Sequence, residues 1–323
     1  MRIFVYEFIM GGGFQDKALP ASLLAEGRLM LTSLLADLIS AGYHDIVTML
    51  DSRMDIPDLP VNFVPANSDH QRIRRKCLAS ADAVWIIAPE TGNILYDLTM
   101  EARQFSCTLI GCSPESIKLC SSKKNTIDWL LGHGIECVPA LEDTGTIPAG
   151  GCIVKPDDGV GGESCYLFHD PEQLENYLRG REQDGYLIQE FIQGIPASLS
   201  LLCHQGECVV LSCNRQLFEF EGGEGRFKGV IVNGLNNYRE NMSTLARQIV
   251  SAIKGLEAYV GVDLILTDEG PRVLEINPRL TTSYAGIRQS VNLNPAAVIL
   301  GCLYGGKLPE AAALSCQAIP VRL

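Results

Sequence analysis

Apolar positions recur along the chain in two periods, and the alternation of those periods divides it in two. An apolar strand over residues 2–8 runs into Gly11, Gly12 and Gly13. Leu23, Leu24, Leu31, Leu34, Leu35 and Leu38 then fall at helical spacing over 22–40, with Gly42 just past the end. Short apolar runs over 46–50, 83–88 and 108–111 alternate with helical segments near 70–80 and 95–105. Strand, helix, strand in regular succession predicts a small parallel sheet with helices on both faces, an α/β domain occupying 1–112. The glycines at 11–13 match no phosphate-loop spacing and have no helix directly behind them, so a flexible turn at a domain edge is expected.

A different rhythm begins at residue 121 and occupies 113–323. Ser121 and Ser122 cap a predicted helix to about 133, closed by Gly134. Strand 152–155, a loop over 156–162, strand 164–168, helix 171–179 and strand 186–191 make a compact module within 122–190, of a size to act as a lid. Strands at 197–203, 207–213 and 229–233 follow, then a helix over 242–256. A hairpin pairs 259–266 with 273–276 across a turn at 267–270, and a short helix covers 295–304. The segment 221–228, charged and glycine-rich, reads as a mobile surface loop.

With 323 residues the chain is long enough for two or three domains and a large core. A net charge of -12 argues against nucleic acid or an anionic membrane surface as partner, because both need clustered Lys and Arg. Any anionic ligand must therefore be held in a local pocket. Twelve cysteines without a Cys-x-x-Cys spacing or a secretion signal read as reduced, buried thiols, and a cytoplasmic location is expected. Glu7 interrupts the first apolar run, which rules out a signal peptide. Asn292, Asn294 and Pro295 make 289–306 a poor membrane span.

The chemistry concentrates near the C-terminal hairpin. Glu275 and Asn277 lie two apart on one strand and share a face, and the hairpin brings Asp263 beside them. Three hard oxygen ligands suit Mg2+, with Mn2+ as the substitute, held jointly with nucleotide phosphates. An isolated Glu-x-Asn is more often a solvated strand edge, but four further features lie upstream. Lys155 ends a strand beside a loop carrying Gly159, Gly161 and Gly162, where a cation and free backbone N–H groups can meet phosphate oxygens. Lys124, or its neighbour Lys123, starts a helix and supplies a second cation. The strand 187–192 leaves the lid module with backbone groups able to read a base edge.

In this order the residues resemble the ATP-grasp superfamily of carboxylate–amine ligases over roughly the last two hundred residues. The resemblance implies an ATP-grasp fold, two α+β subdomains clamping ATP, with residues 1–112 as the small α/β domain that often precedes it. It further implies that Lys124, Lys155, Gly159, Gly161 and Gly162 bind phosphates and that Glu190, Phe191, Ile192 and Leu274 hold adenine. Asp263, Glu275 and Asn277 would bind Mg2+, and Lys155 and Arg279 would stabilise the transferred phosphoryl group. Two departures stand out: Ala197 replaces a ribose-binding glutamate, and Gly261 replaces an arginine found in some ligases. Residues 5–8, 25–30, 196–200, 214–216 and 279–284 are similar to the tyramine–glutamate ligase branch of methanofuran biosynthesis. That likeness implies small-molecule partners, an amino acid and an amine, with Asn214, Arg215, Thr281, Thr282 and Tyr284 on the acceptor side. Whether the chain forms a homodimer stays open. Another amino-acid or D-alanine type ligase, or a nucleotide-binding protein without turnover, are the alternatives. No general base for the amine is visible in the sequence.

Overall fold

The computed structural model describes residues 1–15, 17–141, 146–159, 164–181, 185–311 and 314–323. The first half contains β1 (Ile3–Glu7), α1 (Ala21–Ser40), β2 (Ile46–Asp51), β3 (Asn62–Ala66), α2 (His70–Ser80), β4 (Ala83–Ile87), α3 (Ile94–Ala102) and β5 (Thr108–Ile110). These strands form a parallel sheet in the order β3-β2-β1-β4-β5. Strands β1, β2 and β4 are buried at every position, as expected of parallel strands covered on both faces. Leu31, Leu34, Leu35 and Leu38 of α1 share a core with Ile3, Val5, Leu50 and Trp85. Strand β3 was not expected, because as an edge strand with half-exposed residues and Pro65 it carries no apolar run.

The glycines at 11–13 form a buried, packed turn and not a flexible domain edge. A Cβ at Gly11 would stand 2.5 Å from the Tyr6 ring, and Gly12 has a φ of 94°.

The second half continues with α4 (Pro114–Cys120), α5 (Lys123–Gly132), β6 (Cys152–Pro156), β7 (Tyr166–Phe168), α6 (Pro171–Leu178) and β8 (Tyr186–Glu190). Three long antiparallel strands follow, β9 (Ile195–His204), β10 (Glu207–Glu221) and β11 (Glu224–Val232), and then α7 (Arg239–Ala252). The chain ends with β12 (Ala258–Thr267), β13 (Gly270–Asn277), α8 (Tyr284–Val291), α9 (Pro295–Leu303) and β14 (Ile319–Arg322). One sheet runs β13-β12-β9-β10-β11-β7-β6-β8, with β14 beside β11. Its two edges are tied by residues 136–141. Val138 N–H donates to Val273 O at 3.1 Å on β13, and Leu141 N–H donates to Ile188 O at 2.8 Å on β8. The sheet thus curls so that its first and last strands face a common interior.

The expected loop at 221–228 is instead the tip of the β10–β11 hairpin. Gly222 and Gly223 adopt φ values of 60° and 88°, the left-handed pair that a two-residue hairpin turn requires. Among the described residues no helix is long and apolar enough to cross a membrane.

The order of the parallel sheet reverses between β1 and β4, which opens a crevice at the strands' C-terminal ends. Glu7 closes part of it. Its carboxylate accepts the Met10 N–H at 2.6 Å and lies so close to α1 that a Cβ on Gly27 would stand 2.9 Å from it. Burial raises the Glu7 pKa from 4.5 to about 7, against the opposing pull of the Met10 and Ile9 N–H groups and Arg279. An acid with a raised native pKa keeps its proton in the folded chain while the unfolded chain has released it. Stability should therefore fall as pH rises from about 4.5 to about 7, by roughly 3 kcal/mol, and level off above. In urea melts over this range, Glu7→Gln is expected to flatten that slope.

Candidate active site

The β12–β13 hairpin sets Asp263 directly opposite Glu275, with a bulge between Asp263 and Leu264. Two buried carboxyl groups facing one another cannot both ionise cheaply, and the surroundings decide which does. Asp263 accepts from Gln216 Nε2 at 2.8 Å and from Asn277 Nδ2 at 3.2 Å. Glu275 forms an ion pair with Lys123 Nζ at 3.1 Å. Burial opposes charge on Glu275, but Lys123 and Lys155 outweigh it and hold the group down at about 2. Burial and the neighbouring Glu275 charge together push Asp263 well above the usual carboxylate range. The pair keeps one proton between them, with the charge on Glu275 and the proton on Asp263.

The cations come from three separate elements. Lys123 is the first residue of α5 and is only 7 % exposed, because Ser122 caps that helix by accepting from Asn125 N–H at 3.1 Å. Its ammonium also donates to the carbonyls of Asp157 and Gly159. Lys155 lies on β6, and burial lowers its pKa, with Lys123 adding to the effect and Glu275 opposing it. Arg279 follows β13 and donates through Nε at 3.1 Å and Nη2 at 2.9 Å to Glu90 Oε2, an ion pair buried on both sides. Burial disfavours the guanidinium charge, and Glu90, together with Glu26 and Glu275, more than offsets it.

These groups line a cavity of about 240 Å³. Of the residues named from the sequence, Lys155, Gly159, Glu190, Phe191, Ile192, Asp263, Leu274, Glu275, Asn277, Arg279, Thr281 and Thr282 all face it. Gly161 and Gly162 lie outside the described residues. Lys123, rather than Lys124, is the lysine of α5 that enters the cavity; Lys124 is exposed, and its N–H donates to Asp157 Oδ1 at 2.8 Å. Asn214 is not on the wall. It is buried behind Ser198 and Ser200, donating to both hydroxyls at 3.2 and 3.1 Å. Arg215 points the opposite way along β10 and is exposed. Tyr284 is buried with its hydroxyl donating to Asp37 Oδ2 at 3.0 Å, a structural contact between α8 and α1.

Two polar wall residues and one behind the wall were given no role from the sequence. Gln216 sits on a strand whose apolar alternation hid it, Glu26 reaches the cavity from the first half of the chain, and Glu90, also from the first half, stands behind Arg279. A polar residue just past an apolar strand at the sheet's reversal was the available signal for Glu90. The structure also accounts for Gly261: a Cβ there would stand 2.5 Å from Thr281 Cγ2, so no arginine can occupy the position.

Among the described residues no three His, Cys, Asp or Glu side chains are grouped to hold a metal. Two carboxylates and a carboxamide leave coordination positions for phosphate oxygens, so the donor set fits Mg2+ delivered with a nucleotide.

A family model described as the ATP-grasp domain matches residues 120–283, and one described as the pre ATP-grasp 3 domain matches 44–117. The chain belongs to the ATP-grasp family. It is 30% identical over 299 residues to a tyramine–L-glutamate ligase of Methanocaldococcus jannaschii, covering 90% of this chain and 86% of that one. A solved ATP-grasp superfamily protein from Archaeoglobus fulgidus superposes with a TM-score of 0.73 at 26% identity, covering 95% of this chain and 89% of that one. An L-amino acid ligase from Bacillus licheniformis shares the fold, with a TM-score of 0.66 at 16% identity over 97% of this chain and 76% of that one.

Within this ATP-grasp cavity the two adjacent lysines should separate cleanly. Lys123→Met is expected to lower nucleotide-dependent turnover by about 100-fold or more, as loss of a cation aimed at developing charge does. Lys124→Met should stay within about threefold of the parent, as an exposed charge does. ADP release from Mg-ATP with acid and amine present measures both.

Proposed function

We propose that this protein activates the γ-carboxylate of L-glutamate as an acyl phosphate and passes the acyl group to the amine of tyramine, yielding an amide, ADP and phosphate. As an ATP-grasp ligase it is an ATP-dependent enzyme that forms carbon–nitrogen bonds from small molecules. The observation that carries the reading is one cavity in which Lys123, Lys155 and Arg279 converge on the Asp263, Glu275 and Asn277 oxygens. The identity of 30% to a tyramine–L-glutamate ligase over nearly the whole chain supports the choice of acid and amine.

Phe191, Ile192 and Leu274 offer the cavity apolar surface for a base, and the backbone leaving β8 at 190–192, past the stretch that residues 140–141 pair with, is the one that would read the base's edge. Lys123 and Lys155 then meet the phosphates, and Lys123 leaves Glu275 for an oxygen of higher charge. Asp263, Glu275 and Asn277 would hold Mg2+, which when bound supplies charge neutralisation at the phosphates. Asp263, which beside Glu275 alone keeps a proton, would release it on becoming one of these ligands. Arg279, oriented by two hydrogen bonds to Glu90, meets the phosphoryl group as it moves to the substrate carboxylate. Charge placement supplies the acceleration, since phosphoryl transfer asks for little covalent help. The cavity walls limit access of water to the acyl phosphate, which water would destroy.

Purified protein given Mg-ATP, L-glutamate and tyramine should release ADP and phosphate in step with a γ-glutamyl amide seen by mass spectrometry. Asp263→Asn and Glu275→Gln should each cut turnover by about 100-fold or more. Phosphate release with glutamate and alanine but none with tyramine would sink the choice of amine. Near-parental turnover in either variant would sink the metal assignment.

A further inference from the structure

Lys123, Lys155 and Arg279 give the cavity three cations, which repel an incoming ammonium. One carboxylate from the first half of the chain offsets them. Glu26, in the second turn of α1, lines the cavity together with Thr282 and Ser283 before α8 and with Phe227 and Val230 of β11. Its carboxylate accepts the Thr282 hydroxyl at 2.9 Å. It is half-buried, and its charge acts on Arg279, which places it within electrostatic reach of the group that meets the transferred phosphoryl. Phe227 and Val230 pack with the same apolar cluster that contains Leu280 and Tyr284, so the wall beside Glu26 is anchored in the core.

The geometry points to Glu26 as the acceptor for the amine substrate: it binds the ammonium and takes its proton, with Phe227 and Val230 receiving an aromatic or alkyl body. This inference rests on the ligase reading above. A carboxylate beside apolar surface is the complement of an arylalkylamine, whose one charge sits at the end of an apolar chain. Glu26 removes one proton from the ammonium, and the freed nitrogen lone pair forms the bond to the acyl carbon. The carbon–oxygen bond to phosphate breaks with its electron pair on the phosphate. Nitrogen sheds a second proton as the amide forms, and both protons leave with the phosphate, the first by way of Glu26. The short α1 contact is possible because Gly27 carries no side chain: a Cβ there would meet Glu7, and α1 could not bring Glu26 this close.

Hydroxylamine tests this directly, because it is largely uncharged at neutral pH and attacks an acyl phosphate without first losing a proton to the protein. The full chain is assayed with Mg-ATP and L-glutamate, in parallel with tyramine and with hydroxylamine, and the ratio of amide to hydroxamate is read. In Glu26→Gln that ratio is expected to fall by about 100-fold or more, the usual range for loss of a positioned base. Glu26→Asp should restore part of it. Phe227→Ala, which keeps the carboxylate, should raise the KM for tyramine about tenfold or more while leaving that for hydroxylamine within about threefold. An unchanged ratio in Glu26→Gln, whether both products persist or both are lost together, overturns the assignment of Glu26 alone. A parent protein forming neither product overturns the ligase reading itself, and this inference with it.

Discussion

Two carboxyl groups facing each other inside a protein are costly, and the architecture around Asp263 and Glu275 follows from meeting that cost. Each lies on a strand of one hairpin, so neither can move away without breaking the register. The compensation arrives from elements far apart in the chain: Lys123 at the start of α5, Lys155 on β6, Gln216 on β10 and Asn277 on β13 itself. Removing one member of such a buried set leaves uncompensated charge, worth several kcal/mol. The positions of α5, the lid strands and β10 are therefore tied to the hairpin electrostatically as well as by packing. An arrangement held that tightly keeps the charges of the cavity in fixed positions.

The hairpin was legible because its signal is local. Period-two alternation, a turn at 267–270 and ligands two apart on one strand place three oxygens together without knowledge of the rest. The choice between Lys123 and Lys124 was not legible, because Ser121 and Ser122 can each cap the helix and a shift of one residue turns the first lysine by about 100°. The structure settles it with Ser122 as cap. Asn214 and Tyr284 misled for a related reason: a polar group in an apolar strand or helix reads as functional until its partner is known. Their partners, Ser198, Ser200 and Asp37, come from other elements, the last 247 residues away. The β10–β11 tip misled differently. Glu219, Glu221, Arg226 and Lys228 form cross-strand ion pairs on a hairpin, and without the pairing they look like the charges of a loop.

The first half of the chain contributes more than a scaffold. Residues 90–93 reach two places at once. Glu90 holds Arg279, while the Thr91 hydroxyl and the Gly92 N–H donate to the Asp158 carbonyl and carboxylate at 2.6 and 2.9 Å. Asp158 stands next to Gly159, where the loop behind β6 begins. One stretch after β4 thus fixes the arginine on one side of the cavity and the base of that loop on the other. Helix α1 does the same from the opposite flank, through Glu26 to Thr282 and Asp37 to Tyr284 and Arg288.

A doubly wound parallel sheet ordinarily offers its ligand site at the crevice where strand order reverses. Here that crevice holds Glu7, turned inward onto the Met10 N–H, and Glu90, turned outward onto Arg279. Glu90 Oε1 is buried with no hydrogen-bond partner among the described residues, an expense a purely structural ion pair would not need. The crevice has been given over from binding a ligand of its own to holding a guanidinium in place at the wall of the cavity beside it. That is why the fold of the first half alone, however plainly its pattern of strands and helices can be read, says nothing of its task. The task appears only once Arg279, 189 residues further along, is seen to close on it.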